Sequence, residues 1–548
     1  MTQTIQAQHF LRAATEIAEC GSNDALPFDI DTRFISDKHS ELSDLAYSLF
    51  LHIESLGKRE ASDFIKSLPI YSERLLTPSG AFGFRIITSI HPFWNLYING
   101  LAIAIAEELE PRRNEKVYSY RYQPEGTKIF DSSFSWKRYK EATITTLSAS
   151  ASSTEKVIIQ TDISGFYEQI YHHRLENLIQ PIFGTHSTVA RQLDRILNKF
   201  SSGRSFGLPV GGQCSRILAE LLLNSIDIRL TEEGIDFYRY VDDFTLICED
   251  QASAYKALST LSTTLADYGL SLNRTKTTTL SERHYVHYIQ TQIGLSTSED
   301  NASKLKQIDL HFDPYSDNPE ADYEELRNTV DQLEVTTLLE LELDKAQPDT
   351  FLISQISRTL KLQSPPVAAQ LCRTLLSSGN LHSFRASWST IMRGIYSLRN
   401  DSTFSSIHEE LDRLIDNVLL HSSHLLVPQT NILFFLRVLK LRYSEPRAAF
   451  VYQEVYRQTQ SATVKRACIE CWRAWESRER FMAAINEIPQ LSVYEQQMVW
   501  LMSFKFPDEG SHFRNQMRRS MMRAWELGIE DVLPTSFGDL FTDWAQNV

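Results

Sequence analysis

Phe237-Tyr-Arg-Tyr-Val-Asp-Asp-Phe-Thr-Leu-Ile247 sets aromatic and β-branched residues on both sides of two adjacent acids. This pattern predicts a β-hairpin whose tight turn holds Asp242 and Asp243. Neighbouring carboxylates at a hairpin tip repel each other, which costs stability unless a divalent cation neutralises them. Taken alone, the four residues fit an ordinary Asp-rich turn equally well.

A second acid changes the balance. Val157-Ile-Ile-Gln-Thr-Asp162 is a short apolar strand ending in an aspartate, followed by Ile163-Ser-Gly-Phe-Tyr167. A strand, a terminal acid and an immediate reversal would put Asp162 at a sheet edge beside the hairpin tip. Three carboxylates from two elements supply the hard oxygen ligands that a pair of Mg²⁺ ions needs, with positions left open for substrate phosphates. Between the two acid sites lies Phe206-Gly-Leu-Pro-Val-Gly-Gly-Gln-Cys-Ser215, running into Arg216-Ile-Leu-Ala-Glu-Leu-Leu-Leu223. Glycines around a proline allow the backbone to approach a ligand closely, and the segment ends at a Ser-bearing helix start. Downstream, Gly269-Leu-Ser-Leu-Asn-Arg-Thr-Lys276 predicts a turn and strand presenting a lysine.

In this order, Thr-Asp-Ile-Ser-Gly-Phe-Tyr, Gly-Leu-Pro-Val-Gly, Tyr-Val-Asp-Asp and Gly-Leu-Ser-Leu-Asn with its lysine resemble the palm of reverse transcriptases. The ordered set is specific; Tyr-Val-Asp-Asp alone is only suggestive. Upstream, Phe84-Arg-Ile-Ile-Thr-Ser-Ile-His91 and Val117-Tyr-Ser-Tyr-Arg121 are similar to the fingers of the bacterial abortive-infection, or defence-associated, members. The motif match covers roughly residues 84–280.

The resemblance implies an α/β palm-and-fingers core that polymerises dNTPs into DNA with two Mg²⁺ ions, in bacterial defence against phage. It assigns metal binding to Asp162, Asp242 and Asp243. Lys276 would neutralise or protonate the pyrophosphate, Arg121 would lie over the triphosphate, and Gly211 would let the backbone close on the nucleotide. Tyr167 would sit under the sugar and exclude a 2′-hydroxyl; alternatively, Phe166 and Tyr167 only seed the palm core. An RNA template is the partner such an enzyme implies. One residue departs from the templated enzymes: Val210 stands where they usually carry a glutamine that touches the nucleotide. Abortive-infection relatives tolerate this change, and their behaviour implies DNA made without a conventional template, primed on a tyrosine and left covalently attached. They also assemble through the helical region, which implies a homo-oligomer.

The chain has 548 residues, 42% hydrophobic and 23% charged, enough for a sizeable core and against wholesale disorder. Its net charge of −14 confines any nucleic-acid contact to a local basic channel. Six scattered cysteines exclude a disulfide scaffold. The first residues lack the basic and apolar runs of a secretory signal, and no apolar run approaches the ~18 residues of a membrane span. A cytoplasmic location without membrane contact is the expectation.

Four regions follow from composition: a mostly helical extension over 1–80, fingers and palm over 81–300, an acidic connector over 301–350, and helices over 351–548. In the last region Ile407, Leu411, Leu414, Ile415 and Val418 recur at helical spacing. Breaks at Pro365-Pro366, Ser378-Gly379, Pro428 and Pro446 divide it into a series consistent with HEAT-like stacked hairpins, with a non-repeating bundle as the alternative. Arg437, Lys440, Arg442, Arg447, Arg457, Arg514, Arg518, Arg519 and Arg523 interleave with aromatic residues. They fit either a groove for a product strand or solvated helix faces.

Two other functions compete: an RNA-dependent RNA polymerase on a similar palm, and a non-catalytic helical scaffold binding nucleic acid or protein. Tyr167 opposes the first and the full acid set opposes the second. Gly203-Arg-Ser-Phe-Gly207 has the spacing of a hydrolase elbow, but Pro209 follows where a helix should begin. Cys468 and Cys471 lack a partner pair for zinc.

Overall fold

The computed structural model describes residues 3–27, 29–80, 83–149, 155–293, 301–308, 310, 319–530 and 535–548. Four helices, Ala7–Cys20, Ile30–Asp37, His39–Ser55 and Lys58–Ser67, precede an antiparallel hairpin of β1 (Ser72–Ser79) and β2 (Gly83–Ile90). Pairing runs from Ser72↔Ile90 to Ser79↔Gly83. The Pro78-Ser-Gly80 break is therefore the end of a hairpin, and a boundary at residue 80 separates its two strands. Helix Pro92–Leu109 is apolar on every side and buried along its length, as a helix without a polar face must be. It packs against Ala7–Cys20 and against Gln213–Glu232.

The palm is a four-stranded antiparallel sheet built from β3 (Val157–Asp162), β4 (Asp236–Tyr240), β5 (Asp243–Cys248) and β6 (Thr278–Ser281). The strand order is β4-β5-β3-β6, so the two acid-bearing strands are central neighbours. Helices Gln213–Glu232 and Gln251–Asp267 pack against each other and against this sheet. Register is set by burial: β3 is buried along nearly its whole length, and a slip by one residue would turn its side chains to the wrong faces.

The acidic stretch is more than a solvated connector. Its described residues form helices Asn301–Gln307, Pro319–Asp331 and Val335–Leu343, and Leu305, Val330, Val335 and Leu339 are buried. From there the chain is helical to its end. Helices Thr350–Arg358, Trp388–Arg399, Gln429–Leu439, Ala462–Ala474 and Val493–Ser503 each pack on the next, while Pro365–Leu376 packs on His408–His421 in a second layer. Several basic residues of this region serve the stack itself. Arg442, half exposed, pairs with Asp412 at 2.6 Å, and the buried Arg447 with Asp412 and Asp416, so Arg447 serves packing and faces no groove.

The array is fixed to the N-terminal half. Gln429 accepts a hydrogen bond from the Leu76 amide of β1 at 2.9 Å, and Thr430 donates to the Leu76 carbonyl at 3.2 Å. Glu73 accepts from the amide and hydroxyl of Thr463. Asp31 takes the guanidinium of Arg466 and the hydroxyl of Tyr494. Phe34 meets the rings of Phe537 and Phe541 edge-on at 5.7 and 5.5 Å, and Trp544 donates to Asp37 at 2.8 Å.

Candidate active site

Asp162, the last residue of β3, is the cross-strand partner of Asp243, the first residue of β5. Such partners lie about 4.5–5.5 Å apart at Cα. Tyr240 pairs with Asp243 across a two-residue turn, Val241-Asp242. The Ile163 amide donates to the Asp242 carbonyl at 3.2 Å, and the Asn273 amide to the Asp162 carbonyl at 2.7 Å. Three carboxylates thus meet at one edge of the sheet, braced by the turn that leads to Lys276.

Their charges interact strongly. Asp162 is 5% exposed. Burial, then the Asp162 and Asp243 charges, push the Asp242 carboxyl up to about 7. Burial and Asp162 also raise Asp243, against the opposing pull of Lys140 and Lys276. Lys276, 65% exposed, lies with Nζ 2.5 Å from Asp162 Oδ2; that hydrogen bond is the main reason its pKa is raised. Lys140, on helix Trp136–Ala149, is buried with Nζ 4.4 Å from the centre of the Tyr139 ring. Burial lowers it to about 8, opposed by Asp243.

Among the described residues, no group of three or more His, Cys, Asp or Glu is drawn into closed metal-binding geometry. The chemistry of the donors nevertheless fits a hard divalent cation. They are all oxygen, burial and the neighbouring carboxylates raise the pKa of both Asp242 and Asp243, and Asp162 already attracts an ammonium.

The turn is strained. Val241, a β-branched residue, has φ +55°, a conformation that costs on the order of 1–3 kcal/mol. Arg239 holds it in place: Nη1 donates to the Val241 carbonyl at 2.9 Å, Nε and Nη2 to the Asp227 carboxylate at 2.8 and 2.6 Å, and Nη2 to Glu220 at 2.9 Å. Arg113 also binds Glu220, at 2.8 Å. Glu220 and Asp227, seven residues apart, lie on one face of helix Gln213–Glu232. Their spacing, together with Arg239 on the apolar side of β4, is the sequence signal that points to this network.

Tyr167 stands on helix Phe166–Gln169, which follows closely after Asp162. Its carbonyl accepts from the Leu208 amide at 2.8 Å, which ties the tyrosine to the glycine-proline loop. The guanidinium of Arg216 lies 5.0 Å over the Tyr120 ring and pairs with Asp24. Gly211, at φ +108°, is covered by the N-terminal loop: a Cβ there would lie 2.2 Å from Asn23 Oδ1. Arg121 is engaged differently from the expectation. It pairs with Glu110, donates to the Asn114 carbonyl at 2.9 Å and lies 5.5 Å over Phe134, so its guanidinium is committed to packing within the fingers. His172 is buried with Nε2 2.8 Å from the Gly207 carbonyl, a backbone-bonding role. Cys468 and Cys471 are buried free thiols.

Residues 105–293 match the family model described as reverse transcriptase (RNA-dependent DNA polymerase). No curated protein matches the chain. Among solved structures, a telomerase from Candida tropicalis in complex with a TWJ fragment of telomeric RNA is 14% identical at a TM-score of 0.31, covering 63% of this chain and 64% of that one. An apo telomerase from Candida tropicalis, truncated from the C-terminal domain, is 14% identical at 0.30, covering 38% of this chain and 50% of that one. A Candida albicans telomerase with a TWJ fragment of telomeric RNA is 11% identical at 0.30, covering 64% and 65%. The chain spans from half to just under two thirds of these proteins. No helix among the described residues is long and apolar enough to cross a membrane. Over residues 105–293 the chain carries a reverse transcriptase domain.

Proposed function

We propose that this protein is a dNTP-using DNA polymerase working at Asp162, Asp242 and Asp243 with two Mg²⁺ ions, in the cytoplasm and in bacterial defence against phage. The observation that carries the chemistry is the cross-strand pairing of Asp162 with Asp243, with the Asp242 carbonyl accepting a hydrogen bond from the Ile163 amide at the same edge. The defence role and the HEAT-like character of the helical array rest on the family resemblance and on the layered helix stack.

In this reaction a 3′-hydroxyl oxygen bonds to the α-phosphorus of the nucleotide as the bond to pyrophosphate breaks. Bound Mg²⁺ would lower the pKa of the attacking hydroxyl and steady the triphosphate. The carboxylates hold the charge of that site in place, and the network behind Val241 fixes their positions in advance of the reaction. Lys276, mobile enough to be largely exposed yet tied to Asp162, is placed to meet negative charge on the leaving group. Tyr167 limits the space under the sugar. Val210, with no hydrogen-bonding side chain, supports synthesis that does not check each base against a template. The strand would then begin on a tyrosine hydroxyl and remain attached to the chain, within a homo-oligomer.

The test is incubation of purified protein with each labelled dNTP and Mg²⁺, with no nucleic acid and, separately, with primed RNA and DNA templates. Incorporation lost in Asp242→Asn with folding intact supports the polymerase. Incorporation of rNTPs alone would identify an RNA polymerase, and incorporation of neither would leave the helical scaffold as the function.

A further inference from the structure

Of the basic residues that the C-terminal sequence pattern points to, Arg437 lies near a second set that the pattern leaves out, Arg358, Lys361 and Arg393. A cavity of about 440 Å³ opens between helices Thr350–Arg358 and Trp388–Arg399, lined by Gln355, Ser357, Arg358, Lys361, Arg393 and Ser397 among others. Three arginines cluster at and beside it with uncharged partners only. Arg358 donates to Gln355 at 2.9 Å, and Arg393 donates to the Asp24 carbonyl at 2.8 Å. Arg437 lies 4.1 Å over the Tyr396 ring. Lys361 adds a fourth cation, paired with Asp401 at 3.3 Å. Burial and the repulsion of Arg437 and Arg358 depress the pKa of Arg393, against the opposing pull of the Asp24 carboxylate, so the three arginines sit within reach of one another's charge. In a chain of net charge −14, a local positive excess of this kind marks a place for an anion.

The cluster is joined to the palm by one residue. Asp24 takes Arg216 with its side chain and Arg393 with its carbonyl, and Arg216 lies over the Tyr120 ring. The N-terminal loop thus ties the helix behind the palm to the cavity, with one cation on each side of Asp24. The aromatic faces along this course, Tyr396 and Phe434, are covered by Arg437 and Arg393, which leaves charge, not base stacking, as the means of grip.

We infer that Arg358, Lys361, Arg393 and Arg437 form a phosphate track that holds the single-stranded DNA product as it leaves the active site. The inference rests on the polymerase reading for the identity of the strand. It is tested by binding alone, without dNTPs or metal, so a failed polymerase assay leaves this test intact.

The experiment measures binding of a fluorescent single-stranded DNA to the full chain by anisotropy over a range of salt. The proteins are wild type, Arg358→Gln, Arg437→Gln, their double variant, Arg358→Lys and Asp242→Asn. Expected are a several-fold loss of affinity in each glutamine variant and a fall in the slope of log affinity against log salt of about 0.7 per lost phosphate contact. Arg358→Lys should keep the wild-type slope, and Asp242→Asn should bind as wild type. Product length in the polymerase assay should shorten in the double variant while addition of the first nucleotides continues. Wild-type affinity in both glutamine variants, or no binding by wild type, overturns the inference. Competition by free triphosphate at the concentration where the oligonucleotide competes would make the cavity a nucleotide site and overturn it too. RNA bound tenfold more tightly than DNA would assign the track to a template instead of a product.

Discussion

Arg239 Nη1 donates to the carbonyl of Val241 at 2.9 Å, from a side chain with no exposed surface. One buried guanidinium therefore fixes the backbone of the turn that presents Asp242 and neutralises Glu220 and Asp227 behind it. Replacing it with methionine would leave two buried carboxylates without their main counterion, and breaking a buried pair from one side costs about 3–5 kcal/mol. Arg239→Met should lose that much stability in urea denaturation. Arg239→Lys, which cannot span both acids and the carbonyl, should fold less stably than wild type and incorporate nucleotide far more slowly.

Asp242 gives a pH signature of opposite sign to that of a salt-bridged acid. Its folded pKa, about 7, lies above the ordinary value of 3.8, so the folded state holds the proton more tightly. Between those values stability falls as pH rises, and above pH 7 the whole penalty is present. In metal-free buffer, Asp242→Asn should melt higher than wild type at pH 8, with the gap narrowing as pH falls below 7 and closing near the ordinary value of 3.8. Added Mg²⁺ should raise the wild-type Tm at pH 8 more than that of the variant. Calorimetry across the pH range checks both statements, and incorporation by the variant should fall by orders of magnitude.

Tyr167→Ala removes the ring proposed to lie under the sugar. Discrimination between dNTP and rNTP, measured as the ratio of kcat/KM values, should relax by at least tenfold. An unchanged ratio would make the tyrosine a packing residue only.

Gly211→Ala combines a φ of +108° with a Cβ placed 2.2 Å from Asn23 Oδ1. The N-terminal loop must shift, and the strain remains even after it does. The variant should melt lower and polymerise slowly. Adding Asn23→Gly should recover part of the stability, since it clears the clash without relieving the backbone.

The palm was legible because its sequence combines local and chemical signals. β3 reads as a buried run ending in Asp162, and β4 and β5 flank a turn that needs two acids for no structural reason. Lys276 was legible from the turn before it. Arg121 misled because an arginine in a fingers segment looks free in sequence, whereas Glu110, eleven residues upstream across an intervening turn, claims it in the fold. Lys140 was not legible at all: its approach to Asp243 depends on how helix Trp136–Ala149 crosses the sheet. The hairpin of β1 and β2 was divided because Pro78 and Gly80 mark a strand reversal with the same residues that mark a domain boundary. In the acidic stretch, net charge concealed Leu305, Val330 and Leu339, whose spacing was the better guide to packing.

The hydrogen bonds from Gln429, Thr430 and Thr463 to strand β1 have a mechanical consequence. In a right-hand polymerase whose grip opens and shuts at each cycle, the domain beyond the palm must swing free of the fingers. Here every such swing would first have to peel an edge strand off its staples. The β1–β2 hairpin and the helical array are thus pinned together as one block.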